Sequence, residues 1–346
     1  MTVRRVLTGR SRRGLLVRLG VLAALLALAL VYAVWPRPSE LSRAAALLPA
    51  GTQRVLWTDW AGVRADLHCR TWDACASAVD DTDLSAATVL VGSADALQSR
   101  LSWGPETADW ELLGQARHGE VLVVHVPDVA RVARAYDHAG FTPPAKDRLD
   151  GGVWTGGGDV LAGLGIDEPI FGATAFLADQ GLLLSSDDPA WLARAVSAAK
   201  GGHHLDFDLT RELDHPLAAV GLVGDRACSE LSFATADDGA QAEAAQLVES
   251  AGRVNPLDGY LVGLGPGRSW TAALAFESDA RAKQDLVPRQ RLAGGEDPGQ
   301  MLSYRELFTL RSAERHGRDV VLHGRARPSA YALTQVTQGP VLLASC

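Results

Sequence analysis

Lysine and asparagine are almost missing from this chain of 346 residues. Three lysines (Lys146, Lys200, Lys283) stand against thirty arginines, and Asn255 is the sole asparagine. Because Pro256 follows it, no acceptor for an asparagine-linked glycan remains. Acid is missing from residues 1–36, although the whole chain carries 41 acidic residues. Residues 37–346 thus hold 27 basic residues against 41 acidic ones, a formal charge of −14. That sign argues against nucleic acid as a partner. It also removes general attraction to an anionic membrane surface, except at the N-terminal arginines.

Familiar catalytic signatures are also lacking. Neither a Gly-x-Ser-x-Gly elbow nor a His-Glu-x-x-His pair occurs, so no motif specifies a catalytic residue, a metal ligand or a cofactor. Cysteine is scarce, with Cys69, Cys75, Cys228 and Cys346 making up the full set.

The N-terminus, by contrast, contains an address. Six arginines (Arg4, Arg5, Arg10, Arg12, Arg13, Arg18) precede an apolar run at residues 19–35. Seventeen residues make about 25 Å of helix, slightly short of a hydrocarbon core of about 30 Å. Arg18 can extend the span by reaching the headgroups with its guanidinium. Positive charge on one side only predicts an N-terminus in the cytoplasm and the rest of the chain outside. The competing reading is a cleaved secretory peptide, but the run is long for that and no small-x-small site lies just beyond it. Expected boundaries are a cytoplasmic tail at 1–18 and a transmembrane helix at 19–36. Either reading exports residues 37–346.

In an oxidising compartment four cysteines imply two disulfides, in one of three connectivities. The favoured set joins Cys69 to Cys75 as a local loop and Cys228 to Cys346 as a long one. The latter would tie the apolar stretch 341–345 into its sheet as a closing strand.

Two stretches of the exported part share the same plan. An opening strand at 53–59 corresponds to one at 215–224. A strand at 120–126 leads through Asp128 into a helix with Val129, Val132, Ala133 and Tyr136 at helical spacing. Its counterpart at 270–276 leads through Asp279 into 280–294. Strand pairs come next at 173–177 with 181–185, and at 307–313 with 319–324. A helix at 191–199 and a helix-like stretch at 330–336 come after them. This predicts an α+β fold of two related modules, 37–202 and 203–346, joined at Gly201-Gly202, each an antiparallel sheet with helices packed on one face.

The layout resembles a group of single-pass, membrane-anchored actinobacterial proteins with a short basic tail and a duplicated α+β exterior. The LLPAGTQ turn at 47–53 and the terminal cysteine are the local features it shares. The resemblance implies a cell-envelope protein and transfers no catalytic residue.

Several groups invite a chemical reading. His203, His204, Asp206 and Asp208, with Asp214 and His215 nearby, offer the densest set of possible metal ligands. A solvated joint between modules is the favoured account, because adjacent histidines point opposite ways in a strand and the spacing matches no named metal motif. Gly156-Gly157-Gly158 and Gly263-Leu264-Gly265-Pro266-Gly267 are not P-loops, and hairpin turns explain them. Ser93, Asp95 and His125 could meet in space, although a histidine ending an apolar strand is commonly a core residue. Trp103 and Trp110 flank a Gly-Pro-Glu loop, where exposed rings would form a binding surface for a glycan or an envelope protein. The expectation is therefore a membrane-anchored binding or scaffold protein without enzymatic activity. An exported hydrolase with an unrecognised site is the alternative.

Overall fold

In the computed structural model, residues 39–346 are described; the basic tail and the expected membrane span lie outside them. Among the described residues no helix is long and apolar enough to cross a membrane. The architecture is α+β, built on one eleven-stranded antiparallel sheet.

At its centre β1 (Thr52–Thr58) pairs with β7 (Ala218–Val223). From β1 the sheet runs through β2 (Trp110–Ala116) and β3 (Gly119–His125) to β6 (Leu182–Ser186) and β5 (Ala173–Leu177), and ends on β4 (Asp150–Thr155). From β7 it runs through β8 (Gly259–Gly265) and β9 (Ser269–Ala275) to β13 (Asp319–Ala326) and β12 (Phe308–His316). The short strands β10 (Glu296–Asp297) and β11 (Leu302–Ser303) pair with each other outside this sheet. Each half holds a three-strand meander, then a helix, then a hairpin whose second strand pairs with the third strand of the meander, and in the first half β4 adds an outer strand beside β5. Residues 39–346 form one compact unit, because β1 and β7 merge the halves into a single sheet.

Local chemistry accounts for the repeated parts. Asp128 caps the helix Val129–His138 by accepting the Arg131 N–H, and Val129, Val132, Ala133 and Tyr136 form its buried stripe. The matching helix, Asp279–Leu292, is capped by Ser278, so Asp279 occupies its first turn and is not the cap. Hairpin β5–β6 turns at Gly181 and β12–β13 at Gly317, both with positive φ, which glycine adopts without a Cβ clash.

Helices do not confine themselves to one face. A larger core includes the helices Trp60–Asp66, Trp72–Asp81, Val129–His138 and Asp279–Leu292. The opposite face is covered by the helices Glu40–Ala45 and Pro189–Ala199 and by residues 205–213, through Leu41, Trp191, Leu192 and Phe207. Strands such as β3 are consequently apolar on both faces, as sheets covered on both sides require.

The C-terminal segment also departs from expectation. Residues 330–336 hold only a 3₁₀ turn at Thr334–Val336. The stretch expected as a closing strand contains a 3₁₀ turn at Leu342–Ala344. Side chains and backbone turn bonds, not a sheet ladder, satisfy its backbone, and the Val341 N–H donates to the Leu231 carbonyl. The Leu342 N–H donates to Asp297, the Leu343 N–H to Tyr304 Oη, and Arg289 donates to the carbonyls of Leu343 and Ser345.

Cys69 is bonded to Cys75 and Cys228 to Cys346, with Cα separations of 5.4 and 5.6 Å. No cysteine is left free. Two structural disulfides mark the folded region as exported, since reducing compartments do not maintain them.

A cleft at the seam between the halves

The largest departure from expectation concerns the tryptophans. Trp103 is fully buried, its indole N–H donating to Tyr136 Oη at 3.3 Å and its ring edge-on to Phe171. Trp110 is buried between Trp57 and the His125 ring. The intervening loop folds inward because Arg64 donates to the carbonyls of Pro105 and Ala108. Neither ring is available as a binding surface.

The other candidates disperse. Ser93 donates to Glu168, while the partner of His125 is Asp109, with Nδ1 to Oδ2 at 2.7 Å. The far ring nitrogen of His125 lies against Gly181, where an added Cβ would stand 2.7 Å from it. His203 and His204 are exposed, and among the described residues His215 pairs only with Asp214, at 3.4 Å. Among the described residues no three of His, Cys, Asp and Glu gather as a metal-ligand set. Gly157 and Gly158 begin a helix, Gly157–Leu164, directly after β4, so they are not a hairpin turn. Gly263 and Gly265 belong to β8, and of that group only Gly267 takes a positive φ in the turn. A Ser-x-x-Lys string, Ser197 to Lys200, lies at the end of the helix Pro189–Ala199, contrary to the expectation that this signature is absent. Its lysine is engaged with Asp150 at 2.7 Å.

A cleft of about 350 Å³ opens instead at the seam between the halves. Its floor is apolar, made by Leu84, Leu217, Leu264 and Ala326, all buried. The rim comes from both halves. Asp66 and Asp81 stand at the C-terminal ends of Trp60–Asp66 and Trp72–Asp81, while Arg268 sits in the β8–β9 turn and Arg327 just beyond β13. The Gly267 N–H donates to Asp66 Oδ1 at 3.2 Å and links the two sides.

The wall at 326–330 is held from behind by Asp83. This residue adopts a left-handed backbone at φ 62°, and its buried carboxylate accepts the Leu333 N–H, the Thr334 N–H and the Thr334 hydroxyl. Burial raises its pKa from the ordinary value, and the three hydrogen bonds oppose that rise.

Among the described residues none of Asp66, Asp81, Arg268 and Arg327 forms an ion pair. Two carboxylates and two guanidiniums therefore surround an apolar floor without neutralising one another. The volume lies at the lower end of small-ligand sites, which combine an apolar lining with a few polar groups. Affinity in such a site comes from the desolvated floor, and exposed rim charges contribute orientation more than energy.

No protein-family model matches the chain, and no curated protein sequence does. Among solved structures, "Structure of crystal form III of TP0453" is similar at 9% identity with a TM-score of 0.43, covering 84% of this chain and 96% of that one. At that level the likeness assigns neither fold nor activity.

Proposed function

We propose that the chain is a membrane-anchored binding or scaffold protein of the bacterial cell envelope. Its N-terminus is cytoplasmic, and two related α+β modules, 37–202 and 203–346, lie outside. The cleft carries the binding part of this reading. It is apolar below and charged above, and it draws its walls from both halves of a fold closed by two disulfides. An envelope protein or a glycan presenting an apolar group between polar ones has the matching chemistry.

A photoreactive amino acid placed at Ser329, on the cleft wall, should give a discrete adduct in intact cells, and one at exposed Asp137 should not. Equal adduct yields at the two positions would remove the cleft from consideration. Anchoring is tested separately by a C-terminal reporter active only outside the cytoplasm. Its signal should fractionate with membranes, and signal confined to the medium would show that the anchor is cleaved.

A further inference from the structure

A second recess lies on the opposite face of the sheet, away from the cleft. Four strands bring Asp319, Ala275, Gly259 and Val223 into one row, since Asp319 pairs with Ala275, Ala275 with Gly259, and Gly259 with Val223. The two small residues in the middle leave room above the sheet, and residues 206–209 pass over it. The result is a recess of about 170 Å³, lined by Asp206, Asp208, Asp258 and Asp319 with Arg318 at its edge.

Asp319 is 1% exposed, and only one of its carboxylate oxygens is satisfied. Oδ2 accepts from Arg211 at 3.1 Å, whereas Oδ1 is buried without a hydrogen-bond partner among the described residues. A buried, unpartnered carboxylate oxygen is costly, and such atoms are rare in folded proteins. The positive charges nearby are already engaged, Arg318 with Asp258 at 2.8 Å and Arg211 with Asp208 at 3.3 Å. Asp206 forms no ion pair among the described residues. The four carboxylates thus face two guanidiniums, Arg318 in the lining and Arg211 bonded to Asp208 and Asp319, on a region whose formal charge is −14.

We propose that this recess binds a primary ammonium group, which donates to Asp319 Oδ1 and is balanced by Asp206. The charge excludes an anion. A metal ion fits poorly because no three ligating side chains gather here. An ammonium carries three separate donors on one compact charge and suits acceptors that are spread around it. The recess, about six times the volume share of one liquid water, accommodates that head and a short alkyl stem.

The probe is n-butylammonium chloride, titrated into the full chain in detergent at constant ionic strength, with the thermal midpoint as readout. Tetramethylammonium, a cation without N–H donors, is the control. A saturable rise with n-butylammonium alone is expected, since a ligand that binds only the folded state stabilises it. Asp319→Asn should weaken the apparent affinity at least tenfold. Asp206→Asn, at an exposed position and compatible with folding, should weaken it about threefold. No rise, equal rises with both cations, or affinities unchanged in Asp206→Asn would overturn the proposal, leaving the oxygen to a proton or a water molecule.

Discussion

The carboxylate of Asp83 accepts the backbone N–H of Thr334 at 2.9 Å across 251 positions of sequence. It joins a loop of the first half to the C-terminal segment of the second, and it stands directly behind the cleft wall.

Asp83→Ala removes three hydrogen bonds at one stroke and places a Cβ-bearing residue without a local acceptor at φ 62°. Leaving buried backbone donors unpaired costs about 1–3 kcal/mol, and the left-handed backbone adds about 1–2 kcal/mol. Urea unfolding should show a loss of that order. Asp83→Asn, which tolerates the backbone and keeps one acceptor, should lose less than half as much.

Arg289 and Asp285 form a fully buried ion pair at 3.1 Å, and Arg289 also holds the carbonyls of Asn255, Leu343 and Ser345. Burial lowers the guanidinium pKa to about 10, against the opposing pull of Asp285. Arg289→Met should destabilise by about 3–5 kcal/mol, because Asp285 is left as an uncompensated buried charge. Combining it with Asp285→Leu should recover part of that loss. A double variant no more stable than Arg289→Met would show that the carbonyl contacts, and not the charge, dominate.

Glu111 is fully buried on β2, accepting from the Trp60 indole at 2.9 Å and the Val89 N–H at 3.2 Å, with Thr88 beside it. Desolvation raises its pKa to about 7 from 4.5. The folded state therefore holds this proton more tightly than the unfolded state. The stability it contributes is fully present below pH 4.5 and is lost as pH rises through 7. The loss is on the order of 3 kcal/mol. Relative to the parent, Glu111→Gln should become progressively more stable between about pH 5 and pH 8. A constant difference across that range would show that Glu111 does not titrate there.

Cys228 and Cys346 close a loop with a sequence separation of 118. Replacing both with serine should cost up to about 4–5 kcal/mol in the chain-entropy model of such loops. Because Arg289, Asp297 and Tyr304 still hold residues 342–345, the reduced chain should fold, with a lower thermal midpoint. Non-reducing peptide mapping of the parent should recover Cys346 linked to Cys228, and a free Cys346 thiol would contradict the fold.

Much of the element order is legible in the residues. The caps Asp128 and Asp188, the stripe from Val129 to Tyr136 and the turn glycines Gly181 and Gly317 all act within a few positions of themselves. The two-sided burial of the sheet overturns the one-faced packing expected of each half, although β3 and β8 are continuous apolar runs that do not alternate. The burial of Trp103 and Trp110 was not legible, because hydropathy does not say which way a loop folds. The carbonyls that turn the 104–109 loop inward are captured by Arg64, some forty positions earlier.

By itself, then, the sequence determined the charge asymmetry, the α+β order of elements and the even cysteine count, since each of these depends on composition or on spacing within one element. Only the tertiary structure decided which charges would meet. Asp83 meets Thr334 because β1 pairs with β7 and the C-terminal segment crosses the seam, and Asp206 and Asp319 line one recess because residues 206–209 pass over the row that runs from β7 to β13. Contacts between residues more than a hundred positions apart depend on that pairing register, and no local pattern of side chains encodes it.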